Sequence, residues 1–328
     1  MKTNYRFSYV LALSFLLFPI AQSFGQTNYN SAYSNYGLGD LSNNTNTRNF
    51  SMGGITQGIR GYYNINHQNP ASFTAFDSLS FVFEGAMYSN FTTHKTEATS
   101  EQASNAGLSY LTFGFPITHW MSASFGVLPY SMIGYNIYNL ETHPVFGEVN
   151  QVFAGDGGTT QYYIGTGFKL TKNLSLGVNA WYLNGNLENS RILSFQDSSY
   201  VFNTRVKRNI YIGDVNFTAG LQYTKYFGKS KRITAGLTYG HGKNMAITNE
   251  ELVETLFGGL NNSNEYYKDT IYYQAPTNGN LYLPMVLGGG FVLEKSERWL
   301  VGADIEYGFW QDYKLNEVSD SLRNSLKI

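Results

Sequence analysis

Five histidines, His67, His94, His119, His143 and His241, are the first side chains to test for chemistry. No two of them stand at metal-ligand spacing, and no HExxH segment occurs, so a zinc hydrolase is not written here. Ser and Asn are plentiful, but no nucleophile elbow places a serine at a strand-to-helix turn. Gly155-Asp156-Gly157-Gly158 has the look of a calcium loop, yet one Asp is too few oxygen ligands, and a turn is the better reading. The pairs Gly165/Gly167 and Gly240/Gly242 lie in strand-like runs and are not phosphate loops. The chain contains no Cys, which excludes thiolate metal sites and a disulfide framework. The expectation is therefore a protein that is not an enzyme and carries no cofactor or metal.

The elements that must position any site are β-strands. From Tyr211 to Tyr223 one register reads Tyr211, Gly213, Val215, Phe217, Ala219, Leu221, Tyr223, and the other Ile212, Asp214, Asn216, Thr218, Gly220, Gln222. A period of two places these sets on opposite sheet faces. Strands are expected at 79–93, 105–116, 119–139, 158–170, 174–186, 208–227, 232–246, 281–294 and 298–313, with another beginning near 323. Asp214, Asp304 and Glu306 all fall opposite the apolar face, which suits a wall with lipid outside and a wet lumen inside. Short turns alternate with longer polar connections at about 94–104, 140–157, 187–207 and 247–280, as in outer-membrane barrels. Glu250 to Gly259 reads as a short amphipathic helix in one of those outer loops.

Composition agrees with a membrane wall. Of the 328 residues only 14% are charged, whereas soluble domains carry about 25%. Aromatic residues make up 16%, and Gly numbers 34. A net charge of −1 gives no support for a nucleic-acid partner. Residues 1–25 read as a signal peptide: Lys2 and Arg6 precede the apolar run Phe7 to Ala21, with cleavage expected before Gln26. Beyond it, no run of about 18 apolar residues is present to make a membrane helix. The fold class is thus all-β, a transmembrane antiparallel β-barrel in the bacterial cell outer membrane. Residues 26–78 are rich in Asn, Gly and Ser and precede the barrel at 79–328.

Within 26–78 the residues become specific. Arg48-Asn49-Phe50-Ser51-Met52-Gly53-Gly54 is followed by Asn69-Pro70-Ala71-Ser72 just before the first strand. Together with the leader and the barrel pattern, this resembles the FadL family of outer-membrane transporters for long-chain fatty acids and other hydrophobic compounds. Tyr36-Gly37-Leu38-Gly39-Asp40 is similar to the versions found in Bacteroidetes. The resemblance implies that 26–78 is an N-terminal hatch inside the barrel, with Met52, Gly53, Gly54, Asn69, Pro70 and Ala71 as its motif. Gly53 and Gly54 would allow close backbone approach. Asn69-Pro70-Ala71 also reads simply as a turn into the first strand.

Pro129 lies inside a long strand, where it cannot donate a ladder bond, so a break in pairing is expected there with Gly126 and Gly134 easing the bend. In FadL-like barrels a kink in the third strand opens the wall laterally, and that resemblance implies a lateral opening here. Trp181 and Tyr282 are the candidate ligand-lining aromatics, and Arg205, Lys207 and Arg208 would meet a carboxylate or lipopolysaccharide phosphate, or form a solvated face. The implied function is passive uptake of a hydrophobic, fatty-acid-like molecule through the outer membrane. The alternatives are a protein-binding barrel of type IX secretion, with secreted proteins as partners, and a general porin or structural barrel. The resemblance also implies a closed barrel of about fourteen strands, of which the chain would hold about ten, since an open edge in lipid is not viable. The barrel is therefore expected to be incomplete at its C-terminus.

Overall fold

The computed structural model describes residues 31–42, 45–95, 100–195, 201–228, 230–257, 266–296, 298–320 and 322–328. The signal-peptide segment lies outside them. Short helical turns occupy Ala32–Asn35, Thr47–Ser51 (α1) and Pro70–Ala75, with the two-residue strand Asp40–Leu41 (β1) between the first two. The wall then begins with β2 (Val82–Lys95), β3 (Ser100–Pro116), β4 (Met121–His143), β5 (Gly147–Lys169) and β6 (Leu174–Phe195). It continues with β7 (Asn203–Phe227), β8 (Lys231–Gly240), β9 (Lys243–Phe257), β10 (Tyr266–Leu283), β11 (Val286–Lys295) and β12 (Trp299–Gly308). Two short strands, β13 (Lys314–Leu315) and β14 (Ser325–Lys327), follow. All belong to one 14-stranded sheet, with a main path β14-β12-β11-β8-β7-β6-β5-β4-β3-β2, and every pairing is antiparallel. Among the described residues no pair joins β2 to β14, so the sheet is not closed. No helix there is long and apolar enough to cross a membrane.

The polarity of the wall is inverted relative to a soluble domain. On β7, Tyr211, Val215, Phe217 and Tyr223 are exposed, while Ile212, Asn216, Gln222 and Thr224 are buried. Val301 and Ile305 on β12 and Leu237 on β8 are exposed in the same way. The inward polar face is covered by residues 31–78, hereafter the inner segment. Ile65, Phe73 and Phe76 of that segment join Tyr110, Leu128 and Trp181 of the wall in the main apolar cluster. The polar face that was expected to be wet is thus packed against protein where the inner segment lies on it.

The hairpins at one end close tightly. Thr118 and Thr171 take the same place in two turns, where their hydroxyls accept from the N–H of Met121 at 3.1 Å and Leu174 at 3.0 Å. This end is called the turn side below. At the other end the strands run further than the apolar pattern suggests. The polar stretches expected as loops at 140–157 and 187–207 are largely strand, because ladder bonds use the backbone and ignore side-chain polarity. The expected helix from Glu250 is strand β9 up to Phe257, paired with both β7 and β10; the two residues after it lie outside the described set. The stretch 232–246, expected to be continuous, breaks at His241-Gly242 into β8 and β9. Similarly, 281–294 breaks at Pro284-Met285, where proline has no N–H for a ladder.

Candidate functional site: the inner segment and the wall that holds it

Asn69-Pro70-Ala71 is buried. Pro70 begins a 3-10 turn, and Asn69 caps it by accepting from the Ala71 N–H at 3.2 Å. The extended Asn69 backbone is what a following proline enforces. The Asn69 amide also donates to the Gln57 carbonyl at 2.9 Å and to the Leu221 carbonyl of β7 at 3.5 Å. The motif is a capped turn whose Asn69 amide is also bonded to the wall.

Met52-Gly53-Gly54 has a different role from close approach. A Cβ on Gly53 or Gly54 would meet nothing within 4 Å. Their φ angles of 79° and 83° end α1, with the Gly54 N–H bonded to the Asn49 carbonyl at 2.8 Å. Close approach falls instead on wall glycines that sequence reading passed over. A Cβ on Gly177 would collide with Pro70 and the Ala71 nitrogen; one on Gly220 with Asn69; one on Gly236 with the Gln57 carbonyl. Successive neighbouring strands β6, β7 and β8 thus lack side chains where the inner segment lies on them.

Between these bare patches, polar side chains of the wall bond the segment's backbone. Asp304 of β12 accepts the Gln57 N–H at 2.8 Å and the Thr56 N–H at 2.5 Å. Gln222 of β7 donates to the Gln57 and Ile59 carbonyls at 2.8 and 3.1 Å. Asn179 of β6 donates to the His67 carbonyl at 2.6 Å, and Glu84 of β2 accepts the Ile65 N–H at 3.0 Å. Near the turn side, Arg60 donates to Thr224 and Thr74 at 3.0 and 2.9 Å. Its surroundings pull its pKa down to about 10, first through burial and then through the Arg232 guanidinium.

The wall changes partners in two places. Pairing of β3 with β4 stops at Leu111 and Val127, just before Pro129, and the β4–β5 register shifts between Pro129 and Ser131. Past that point the inner segment takes up β4's backbone groups. Leu41 and Asp40 pair with Ser131 and Met132, and the Gly134 carbonyl accepts the Ser31 N–H at 2.7 Å. Gly126 lies below the break, where a Cβ would press on the Leu111 carbonyl. The second change is on β7, which pairs with β8 below Thr218 and with β9 above Ile212. Asp214 fills the interval, bonded to Lys243 at 2.8 Å and to the Ala246 N–H at 3.0 Å.

Trp181 and Tyr282 do not share a cavity. Trp181 stacks on Tyr130 with ring centroids 6.0 Å apart, in a cavity of about 600 Å³ that also meets Leu283, Trp310 and Glu306. Tyr282 borders a separate cavity of about 660 Å³ with Asn244, Asn280 and Lys314. Arg205, Lys207 and Arg208 stand on tall strands and pair across to Glu254, Glu188 and Glu251 at 2.6, 2.8 and 3.0 Å. Among the described residues no three His, Asp or Glu side chains converge as a metal site. The anchoring wall residues Asn179, Gln222 and Asp304 carried one faint sequence signal, their inward register, and nothing that named their partners.

Comparison with known families decides the identity that the motifs left open. The BamG family model matches residues 9–325, nearly the whole chain, spanning the inner segment and the wall together. The chain belongs to the BamG family. This overturns the FadL resemblance, which rested on short motifs now seen to cap a helix and seat a turn. With it go the fatty-acid transport function, the fatty-acid-like ligand and the hatch as a transport device. The type IX secretion and porin alternatives fit the BamG family only loosely. The family takes its name from the BAM complex of outer-membrane protein assembly, and the BamG assignment fits an outer-membrane-associated bacterial protein. No curated protein matches the chain.

Proposed function

We propose that this chain is a non-catalytic β-barrel of the bacterial outer membrane that works with the BAM complex in outer-membrane protein assembly. The observation that carries the reading is the BamG match over residues 9–325. The inverted wall supports it: exposed Val215, Phe217, Leu237, Val301 and Ile305 are costly in water and favourable in lipid. Residues 1–25 would direct export, and 79–328 would form the membrane wall with its turn side toward the periplasm, following the usual placement of short turns. The inner segment fits a fixed role better than a moving one. Its backbone is bonded by β2, β6, β7 and β12, and releasing it would leave buried amides and part-buried carboxylates without those partners.

Affinity purification of the tagged chain from detergent-solubilised outer membranes tests the proposal. The BAM complex should copurify, and depletion of the chain should lower the amounts of other outer-membrane barrels. Absence of copurification together with unchanged barrel levels on depletion overturns it.

A further inference from the structure

The turn side is the strongly basic end of the molecule. Its wall carries Lys169, Lys172, Lys225, Lys231, Lys295 and Arg298 at or beside the hairpin turns. Arg232 and the inner segment's Arg48 and Arg60 add three more cations, against Asp77, Glu84 and Glu294 among the described residues. The arginines converge on a cavity of about 450 Å³ lined by Arg48, Arg60, Arg232, Tyr62, Tyr63 and Tyr226, with Glu84 and Glu294 also on its wall. Arg60 borders a second cavity of about 730 Å³ on the same side. Glu294 is already held by Arg232. Among the described residues Arg60 is held by two threonine hydroxyls and no carboxylate, so a charge removed from water is only partly compensated. Arg48 is exposed beside Gly61. Phe50, Tyr62 and Tyr63 are exposed as well, although they belong to the inner segment and not to the outward wall; Tyr63 is 71% exposed.

We propose that this mouth is a docking site for an acidic, apolar-bearing segment of a partner protein on the turn side. Carboxylates of the segment meet Arg48 and the open side of Arg60, and its apolar side chains pack on Tyr62 and Tyr63. Charge complementarity selects the class of partner. Position selects protein over lipid: the residues that line the cavity sit on the inner segment and at the inner rim of the wall, whereas lipid headgroups would surround the outside. That last step rests on the wall being the membrane-facing surface.

The test uses the purified full chain in detergent and a dye-labelled peptide rich in Glu, Leu and Phe, with a Lys-for-Glu peptide as control. The acidic peptide should bind, the basic one should not, and added salt should weaken the complex. Arg48→Glu should weaken binding about tenfold or more, the scale of losing one charge-assisted contact. Tyr63→Ala should weaken it by less. Both side chains are exposed, so unaltered heat-stable mobility of the folded protein confirms that the variants fold. Equal binding of both peptides, or binding untouched by Arg48→Glu, overturns the proposal. So does displacement of the peptide by phosphatidylglycerol vesicles, which would assign the basic end to lipid headgroups. None of these readouts depends on the BAM complex, so failure of copurification and failure of this site are separate results.

Discussion

On the turn-side half of β7, Gln222 and Thr224 reach the backbone and side chains of the inner segment; on the far half of the same strand, Arg205 and Arg208 reach carboxylates on β9. The first half is held through buried contacts between residues far apart in sequence. The second is held by ladder bonds and partly exposed ion pairs, which are worth little individually. One strand thus shows two regimes. Where the inner segment lies on the wall, glycines give it room and amides and carboxylates bond its backbone. Where none of the described residues covers it, charged pairs and backbone pairing hold it.

Four substitutions break or sharpen that contrast. Gly177→Val should be the most damaging, because the added carbons occupy the space of Pro70 and Ala71. A loss of about 3 kcal/mol or more is expected from overpacking, seen as failure to form the compact, heat-modifiable species on unboiled gels. Asp304→Ala strands the Thr56 and Gln57 N–H groups and should cost about 2–3 kcal/mol. A shorter unfolding half-life in urea, with the fold intact beforehand, would register it. Asn69→Ala removes the turn cap and the bond to Gln57, for about 1–2 kcal/mol; hydrogen exchange should rise at residues 57–72 and not on β9. Arg205→Ala should cost under about 1 kcal/mol despite its short contacts with Glu254. An equal or larger effect for Arg205→Ala than for Asn69→Ala would abolish the distinction between the two halves.

Much of the wall was legible beforehand. The inward and outward registers of 211–223 are those of the structure, and so are those of the expected strand 298–313 over Trp299–Gly308, because alternation is local and one apolar face per strand leaves little freedom; beyond Gly308 the expected strand gives way to a 3-10 turn at Trp310–Asp312. The far halves of β5 and β6, the first five residues of β7 and the pairing of β9 with β10 were not legible, since polar strands beyond an apolar band look like loops. The break at His241-Gly242 did leave a local trace: after Tyr239 the apolar register passes through His241 and Lys243 before Met245. At the inner segment, Asn69-Pro70-Ala71 stood out as a turn, but its wall partners Gly177 and Gly220 carry no side chain to notice. Met52-Gly53-Gly54 stood out too, and was assigned close approach when its positive φ angles were the reason.

The sequence by itself determined that this is an all-β chain whose strands carry apolar residues on one face and polar residues on the other, because the two-residue period is a property of the backbone. Only the tertiary structure decided which face is covered and by what. It placed the inner segment against the polar face, gave Asp304, Gln222 and Asn179 their partners, and let β4 exchange β3 for β1 after Val127. Those outcomes join residues about ninety or more positions apart, and no local pattern encodes such a distance.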